Sequence, residues 1–283
     1  MGERNRKIEM INFIKDKYYW FKIYRKLNGF LSAFNESRIL LFGYKKSGNT
    51  WLRFLLYNYR ELLMNPCVEE TITYDRLNSL QNNILDRGTT FLSEDGFPIF
   101  YRTHHPYSSS YNLFDKKVFI HRNPLDTLIS SYYFYRNRKV PFFDDPNSIR
   151  EKLFDIDFYV IYKIDGWIDF YKESIRHADI VMSYSEMSVN CEEAVSRLID
   201  FLDWDLNQEL VRRTVEMSSF NKVKRMGLEM NQKHGMGPKD TFKGDFTRSG
   251  KEGQFHNELT EETISLVLQK FPEFKELYPD CFE

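Results

Sequence analysis

The sequence predicts an α/β protein, a single domain in which a central parallel sheet is flanked by helices. Apolar runs of five or six residues recur along the chain, and longer stretches with helical periodicity separate them. Because parallel strands need long crossover connections, this alternation favours a parallel sheet with helices on its faces. The 283 residues, 42% of them hydrophobic, suffice for one large core, and no internal repeat or low-complexity linker divides them.

The predicted elements follow from these patterns. Buried strands are predicted at 38–43, 98–103, 117–121 and 179–184. Helices are predicted at 50–63, 124–137, 157–176, 190–202 and 207–218. The second helix has the clearest start, because Asn123 can cap it, Pro124 suits its first position and Asp126 occupies the capping-box position.

Two outer segments complete the single domain of residues 1–283. Residues 1–37 are expected to form an N-terminal helical segment. Residues 227–257 are rich in Gly and Lys and poor in aliphatic residues, so a long loop is expected there. Long loops in compact domains are often binding segments, and this one is therefore a candidate cover for a ligand.

Composition restricts the class of partner. The 40 Lys and Arg residues balance 41 Asp and Glu residues, so the chain lacks the basic excess typical of proteins that bind nucleic acid or acidic membranes. Its three cysteines lie far apart without metal-ligand spacing, which favours a reducing compartment and no metal site. The first 27 residues interleave charged and apolar side chains, unlike a signal peptide or a membrane span. We therefore expect a cytoplasmic protein with neither a nucleic-acid nor a membrane partner.

A glycine-bounded loop follows the first predicted strand. The sequence GYKKSGNT, residues 43–50, has the GxxxxG spacing of a P-loop, in which backbone N–H groups and a helix N-terminus bind phosphate. A nucleoside triphosphatase has Lys directly after the second glycine, where this chain has Asn49. Lys45 and Lys46 lie inside the loop, where a cation meets the phosphate nearest the helix. The pattern therefore predicts a site for a monophosphate-like group.

The string YKKSGNTW resembles the 5′-phosphosulfate loop of sulfotransferases that use 3′-phosphoadenosine 5′-phosphosulfate (PAPS), usually written YPKSGTTW. Lys45 and Asn49 are the departures. The resemblance implies a P-loop-NTPase-like sulfotransferase fold, PAPS as the donor and 3′,5′-ADP as the product. It also implies that Lys46 binds the bridging oxygen of the donor and is catalytic. The implied hydrogen-bond donors are Ser47, Gly48, Asn49 and Thr50, and Trp51 would stack near the adenine.

A second segment, RNPLDTLIS, resembles the family pattern RNPxDxxxS, which implies that Arg122 and Ser130 bind the 3′-phosphate. An Arg guanidinium pairs well with phosphate oxygens. Three weaker segments agree with the family in order along the chain. MSYSEM implies that Tyr184 lies near the adenine, and SSFNKVK implies the same of Ser218 and Phe220.

The last weak segment, FTRSGKEGQF, resembles the family's RKGxxGDW loop, which closes over the nucleotide. The resemblance implies that Arg248 and Gly250 meet the 3′-phosphate. Ser249 replaces the second basic residue of the family pattern, and Phe255 replaces its Trp.

A candidate general base lies between the two phosphate motifs. The sequence YRTHHP resembles the family pattern KTHLP, which implies that His104 is the base and that Arg102 replaces the catalytic Lys and shares the charge of the sulfuryl group. An imidazole with a pKa of about 6.5 suits proton removal near neutral pH. The expected reaction is a metal-free, in-line sulfuryl transfer from PAPS to a hydroxyl or amine of a small-molecule acceptor. No role is predicted for His105.

Two other functions remain open at this point. A P-loop nucleotide kinase shares the strand–loop–helix, although Asn49 argues against it. A non-catalytic module that binds adenine nucleotides is also compatible with the loops, and only the position of His104 argues against it.

The acceptor is poorly defined by the sequence. Aromatic residues that suggest an apolar wall are Phe134, Tyr135, Phe142 and Phe143, and Asp144 and Asp145 form either a solvated acidic turn or a site for a cation. A composition rich in Ile, Lys, Asn, Phe and Tyr suggests an AT-rich genome, in which such enzymes often modify secondary metabolites. The oligomeric state stays open, because only Thr260 matches the dimerisation segment of many cytosolic relatives.

Overall fold

The structure, a computed structural model, describes residues 21, 22, 24, 25, 27–29, 37–80, 82–83, 99–107, 109–137, 141–142, 145–233 and 250–282. A sheet of five parallel strands lies at its centre, in the order β2-β3-β1-β4-β5. The strands are β1 (Arg38–Phe42), β2 (Asn82–Asn83), β3 (Ile99–Thr103), β4 (Lys116–His121) and β5 (Ile180–Ser183). This α/β architecture is the predicted one.

Eleven helices surround the sheet in the described part of the chain after residue 37. They are α1 (Asn49–Met64), α2 (Tyr74–Leu80), α3 (Pro124–Arg136), α4 (Ile156–His177), α5 (Tyr184–Val189), α6 (Cys191–Phe201), α7 (Gln208–Met217), α8 (Phe220–Lys233), α9 (Phe255–Glu258), α10 (Glu261–Lys270) and α11 (Phe274–Leu277). Short 3-10 turns cover Ser109–Leu113, Asn147–Ile149, Lys152–Phe154 and Pro279–Cys281. The described residues from 21 to 29 are helical. Within the described ranges, no helix is long and apolar enough to cross a membrane.

The central strand β1 buries side chains on both faces. Leu40 and Phe42 belong to the core that packs against α3 and α4, while Ile39 and Leu41 belong to the core under α1, α6 and α7. Successive side chains of a strand point to opposite faces, so a strand between two helical layers is apolar throughout. This explains why RILLF is a continuous apolar run and not an alternating one.

The start of α3 confirms the predicted cap. The side-chain oxygen of Asn123 accepts a hydrogen bond from the backbone N–H of Asp126 at 2.8 Å, and its amide donates to the Asp126 carboxylate at 2.8 Å. Pro124 occupies the first turn. Because the cap fixes the chain as it leaves β4, it also fixes the residue between them, Arg122.

Several predicted boundaries are wrong. Tyr184, predicted as the end of a strand, is the first residue of α5, because Ser183 and Glu186 form a capping box there. The predicted loop 227–257 is also too long. Residues 227–233 continue α8, and α9 begins at Phe255. Residues 234–249 lie outside the described part of the chain.

Other elements were not predicted at all. Strand β2 has only two residues and no apolar pattern, and the unpredicted helices after α5 are short or carry mixed side chains. Packing stabilises the shortest of these elements. Helix α10 does have a local signal, because the Thr260 side chain accepts a hydrogen bond from the Thr263 N–H at its start.

Substitutions in β1 test whether both faces of the sheet are covered. We expect Leu40→Ala and Leu41→Ala each to lower the free energy of unfolding by about 2–5 kcal/mol, because both side chains are at most 2% exposed and lie in different cores. Val189→Ala, at a position that is 79% exposed, should change it by less than about 0.5 kcal/mol. The measurement is urea denaturation followed by circular dichroism, and a small effect of either leucine substitution would contradict the two-layer packing.

Candidate functional site

The glycine-bounded loop joins β1 to α1 at the carboxyl edge of the sheet. Gly48 has a φ of 99°, and a Cβ there would lie 2.7 Å from Cδ2 of Tyr184, so only glycine fits both the backbone and the space. Lys46 also adopts a left-handed φ of 73°. The backbone N–H of Ser47 donates to the Tyr44 carbonyl at 3.2 Å, which closes a tight turn before the helix. The structure therefore contains the predicted strand–loop–helix.

Some side chains of the loop stabilise its conformation, and others are placed to contact a ligand. The Asn49 amide donates to the Tyr44 carbonyl at 3.0 Å, so it braces the loop, whereas the resemblance implied a donor to the nucleotide. Ser47 is fully buried, and its Oγ has no hydrogen-bond partner in the described structure. Thr50 lies half-buried in the first turn of α1. A buried hydroxyl without a partner at a helix N-terminus fits an anion such as the predicted phosphosulfate.

The two lysines of the loop face α3. The Lys46 Nζ lies 4.9 Å from the centre of the Phe134 ring, and the Lys45 Nζ donates to the Tyr135 hydroxyl at 2.7 Å. Lys45 replaces the proline of the family pattern, and its link to Tyr135 could not be predicted from the sequence. The loop and α3 therefore form one wall of the site.

His104 follows β3 and lies against the same loop. Its Nδ1 is 2.9 Å from the Gly43 carbonyl oxygen. A carbonyl only accepts hydrogen bonds, so Nδ1 carries the proton and Nε2 presents a lone pair. Burial lowers the pKa of His104 to about 4, and the positive charges of Arg102 and Lys45 act in the same direction, against the hydrogen bond to Gly43. The imidazole is therefore neutral at pH 7, as a proton acceptor must be.

Arg122 lies between β4 and α3, at the same edge of the sheet. Its guanidinium stacks on the Tyr184 ring at 4.4 Å, is 3.6 Å from the Asp126 carboxylate, and donates to the backbone carbonyl of Lys251. Its Nε is buried without a hydrogen-bond partner in the described structure. Ser130 is one turn beyond Asp126 on α3 and is half-buried. A buried guanidinium with a spare donor fits the predicted 3′-phosphate.

The residues predicted near the adenine also meet in space. The Trp51 indole donates to the Ser218 carbonyl at 3.0 Å, and its ring centre is 5.4 Å from that of Tyr184. The Tyr184 hydroxyl donates to the Gly250 carbonyl at 2.7 Å, and a Cβ on Gly250 would collide with the Phe220 ring. The structure thus brings together five of the predicted residues. Arg248 lies outside the described residues.

One residue that organises this region was missed. Asn58 is fully buried on α1, donates to the Ser218 hydroxyl at 2.8 Å and accepts from the backbone N–H of Ile72 at 2.9 Å. A lone Asn within the apolar helix WLRFLLYNY was the available signal, because a buried amide must be hydrogen-bonded.

The acceptor side differs from the prediction. Phe142 is fully buried against Tyr132 and Tyr159, so it belongs to the core and lines no surface. Asp145 is buried and paired with Lys163, so it is neither a solvated turn nor a free site for a cation. Phe143 and Asp144 lie outside the described residues, and His105 is exposed. In the described ranges, no cluster of three or more His, Cys, Asp or Glu side chains could hold a metal ion.

Comparisons with known proteins agree with this geometry. The family model described as "Sulfotransferase domain" matches residues 36–275. Mouse Sulfotransferase 1E1 is 26% identical over 84% of this chain and 82% of its own length, and rabbit Amine sulfotransferase is 25% identical over 91% and 86%. Human Sulfotransferase 2A1 is 24% identical over 86% and 88%.

Solved structures show the same fold. Retinol dehydratase in complex with androsterone and the inactive cofactor PAP aligns with a TM-score of 0.61 at 16% identity, over 84% of this chain and 80% of that one. Mouse sulfotransferase SULT7A1 complexed with PAP aligns with a TM-score of 0.57 at 19% identity, over 89% and 88%. The family model covers most of the chain, and with the phosphate loop it shows that this protein belongs to the sulfotransferase family and is a PAPS-dependent sulfotransferase.

Proposed function

We propose that this chain transfers the sulfuryl group of PAPS to a hydroxyl or amine of a small-molecule acceptor, with His104 as general base and without a metal ion. The observation that carries the proposal is the 2.9 Å contact between His104 Nδ1 and the Gly43 carbonyl. This hydrogen bond holds His104 against Gly43, the first residue of the phosphate loop. Lys46 lies in the same loop. The base and the cation therefore lie at the same edge of the sheet. There His104 can act on the attacking acceptor atom and Lys46 on the leaving oxygen of an in-line transfer.

Each residue has one chemical role in this proposal. His104 Nε2 accepts the acceptor proton while the acceptor atom bonds to sulfur. Lys46 neutralises the bridging oxygen as the sulfur–oxygen bond to the leaving 3′,5′-ADP breaks. Arg102 lies on β3, two residues before His104, its charge acts on His104, and in this proposal it offsets charge on the sulfuryl oxygens. PAPS supplies a group that is already activated as a mixed anhydride, so no Lewis acid is needed.

Donor binding is divided among three elements. Ser47, Gly48, Asn49 and Thr50 surround the 5′-phosphosulfate, and Arg122 and Ser130 hold the 3′-phosphate. The adenine packs among Trp51, Tyr184, Ser218 and Phe220. Residues 250–257 cover the nucleotide together with Arg248. The Gly253 N–H donates to the Asp126 carboxylate at 2.8 Å, which supports this cover by anchoring it to α3.

The acceptor is a small molecule, such as a secondary metabolite, bound on the side of Phe134 and Tyr135. The curated relatives include an amine sulfotransferase, and a solved neighbour is titled as a complex with retinol and PAP. Both names support a small organic acceptor.

The role of His104 is tested by substitution. We expect His104→Ala to lower the rate of sulfuryl transfer by about 100- to 10,000-fold, because a positioned base contributes that much, while 3′,5′-ADP binds with unchanged affinity. His105→Ala, one residue along and exposed, is the matched control and should keep most of the activity. Assays with labelled PAPS and calorimetry give the two quantities. Loss of nucleotide binding in His104→Ala would make the residue structural.

The donor site is tested by calorimetry in EDTA. We expect 3′,5′-ADP to bind tightly and 5′-AMP, which lacks the 3′-phosphate, to bind more weakly, and the difference should vanish in Arg122→Ala. Charge-assisted hydrogen bonds of this kind correspond to about 10- to 100-fold in affinity. The affinities for ADP and GTP are measured for comparison. Preference for either of them, or a requirement for Mg²⁺, would contradict the proposal and favour a P-loop kinase.

The protonation state of His104 is tested by NMR titration of the free protein. We expect the His104 signals, assigned with His104→Gln, to titrate well below the ordinary pKa of about 6.5, because burial and nearby cations disfavour the imidazolium. Since the unfolded chain holds this proton more tightly, the folded state should also lose stability as the pH falls from about 6.5 towards 4. An ordinary pKa at His104 would contradict the buried, neutral base.

A further inference from the structure

The chain turns at His104, and a hydrogen bond closes this turn. Thr103 is the last residue of β3 and pairs with Phe42 of β1 in the sheet. Its side-chain oxygen accepts a hydrogen bond from the backbone N–H of His105 at 3.1 Å. This bond spans His104, so it restricts the backbone of the residue that the proposed mechanism uses as its base.

Tyr111 supplies a second connection to the same turn. Its hydroxyl donates to the backbone carbonyl of His105 at 2.7 Å. Pro106 follows, and the residue before a proline is restricted to extended backbone conformations. The N–H and the carbonyl of His105 are therefore both hydrogen-bonded, and the main chain directly after His104 has little freedom.

The packing of the Tyr111 ring fixes the position of this hydroxyl. Tyr111 belongs to the 3-10 turn Ser109–Leu113 and is 1% exposed. Its ring packs edge-on against Phe42, with 5.2 Å between the ring centres, and against Tyr107 at 5.3 Å. A buried ring with close neighbours moves little, because protein interiors are tightly packed. The hydroxyl of Tyr111 is therefore a rigidly placed hydrogen-bond donor.

Both connections lead to the end of β1. His104 Nδ1 donates to the Gly43 carbonyl at 2.9 Å, and the residue before Gly43 is Phe42, which packs against Tyr111. The imidazole is held there by a direct hydrogen bond, and the backbone beside it is held through Tyr111. When the backbone and one ring nitrogen are both fixed, the other ring nitrogen has little freedom to reorient. That nitrogen, Nε2, is the proposed proton acceptor.

We propose that Tyr111 is a positioning residue for His104, and that its hydroxyl, by holding the His105 carbonyl, keeps Nε2 directed at the acceptor proton. The inference deepens the proposed function and rests on His104 being its base. In this role Tyr111 acts through the turn and needs no contact with either substrate. A small displacement of the imidazole should remove much of the contribution of a base, because proton transfer requires close positioning.

Removal of the hydroxyl tests this role. Tyr111→Phe keeps the buried ring and loses the hydrogen bond to His105. Transfer from labelled PAPS is measured with 4-nitrophenol as a hydroxyl acceptor and aniline as an amine acceptor. We expect kcat to fall by about 10- to 100-fold, because a misplaced catalytic group loses about that much. The calorimetric affinity for 3′,5′-ADP should stay unchanged, since the hydroxyl holds the turn and not the donor.

Tyr59→Phe is the matched control. Tyr59 is fully buried in the other core, and its hydroxyl donates to the Asp205 backbone carbonyl at the same distance, 2.7 Å. The substitution thus removes the same kind of hydrogen bond far along α1 from the phosphate loop. It should leave kcat at the wild-type value.

A second measurement needs no acceptor and decides the question even for a protein that uses neither of the two. Tyr111→Phe leaves in place the cations that lower the pKa of His104, which are Arg102, Lys45 and Arg53. Burial is the main cause of this low pKa. An imidazole that moves from its place becomes more hydrated, so its NMR-determined pKa should rise from about 4 towards 6.5 in Tyr111→Phe. It should stay low in Tyr59→Phe.

A double variant shows whether Tyr111 acts through His104. In the His104→Ala background, Tyr111→Phe should change the remaining transfer rate by less than about 2-fold, because the group that it positions is gone. Effects of the two substitutions that multiply would overturn the inference. A normal kcat in Tyr111→Phe, or a slower rate with an unchanged pKa of His104, would overturn it as well.

These outcomes differ from those that test the proposed function. Failure confined to Tyr111→Phe leaves the sulfuryl transfer and the base in place. If the wild-type protein does not bind 3′,5′-ADP, or if His104→Ala keeps full activity, the proposed function itself is overturned.

Discussion

The parallel register of three strands is the constraint on which the site depends. In that register β1 ends with Phe42 beside Thr103 of β3 and beside Phe119 of β4. The carboxyl ends of parallel strands meet at one edge, so the chain leaves the sheet there three times within a small area. The phosphate loop, His104 and Arg122 are the residues found at those exits. A shift of one residue in either pairing would turn their side chains to the opposite face of the sheet.

Local charge, not net charge, determines what this edge can bind. The whole chain has a formal charge of -1, yet the loop, β3 and β4 contribute Lys45, Lys46, Arg102 and Arg122 to the same side of the sheet. The Asp126 carboxylate lies 3.6 Å from the Arg122 guanidinium, and it also accepts hydrogen bonds from the Asn123 side chain and the Gly253 N–H. Asp126 thereby orients Arg122 and anchors the segment at Gly253 to α3.

The departures from the family pattern have structural consequences. Lys45, in place of proline, adds a cation that Tyr135 holds against α3. Asn49, in place of threonine, donates a hydrogen bond from its side-chain amide to the Tyr44 carbonyl and so stabilises the loop. Arg102, in place of lysine, is a planar donor whose charge acts on both His104 and Arg53.

Contiguous residues by themselves determined the fold class, the strand–loop–helix at Gly43 and the capped start of α3, because each depends on hydrogen bonds and periodicity within a few residues. Motif order along the chain also led to the predicted roles of His104 and Arg122. Only the tertiary structure decided what these residues contact. Lys45 donates a hydrogen bond to Tyr135, which lies 90 residues away in the sequence, and Arg122 donates one to Lys251, which lies 129 residues away. The burial of Phe142 and the pairing of Asp145 with Lys163 depend likewise on packing between distant segments, which no local pattern encodes.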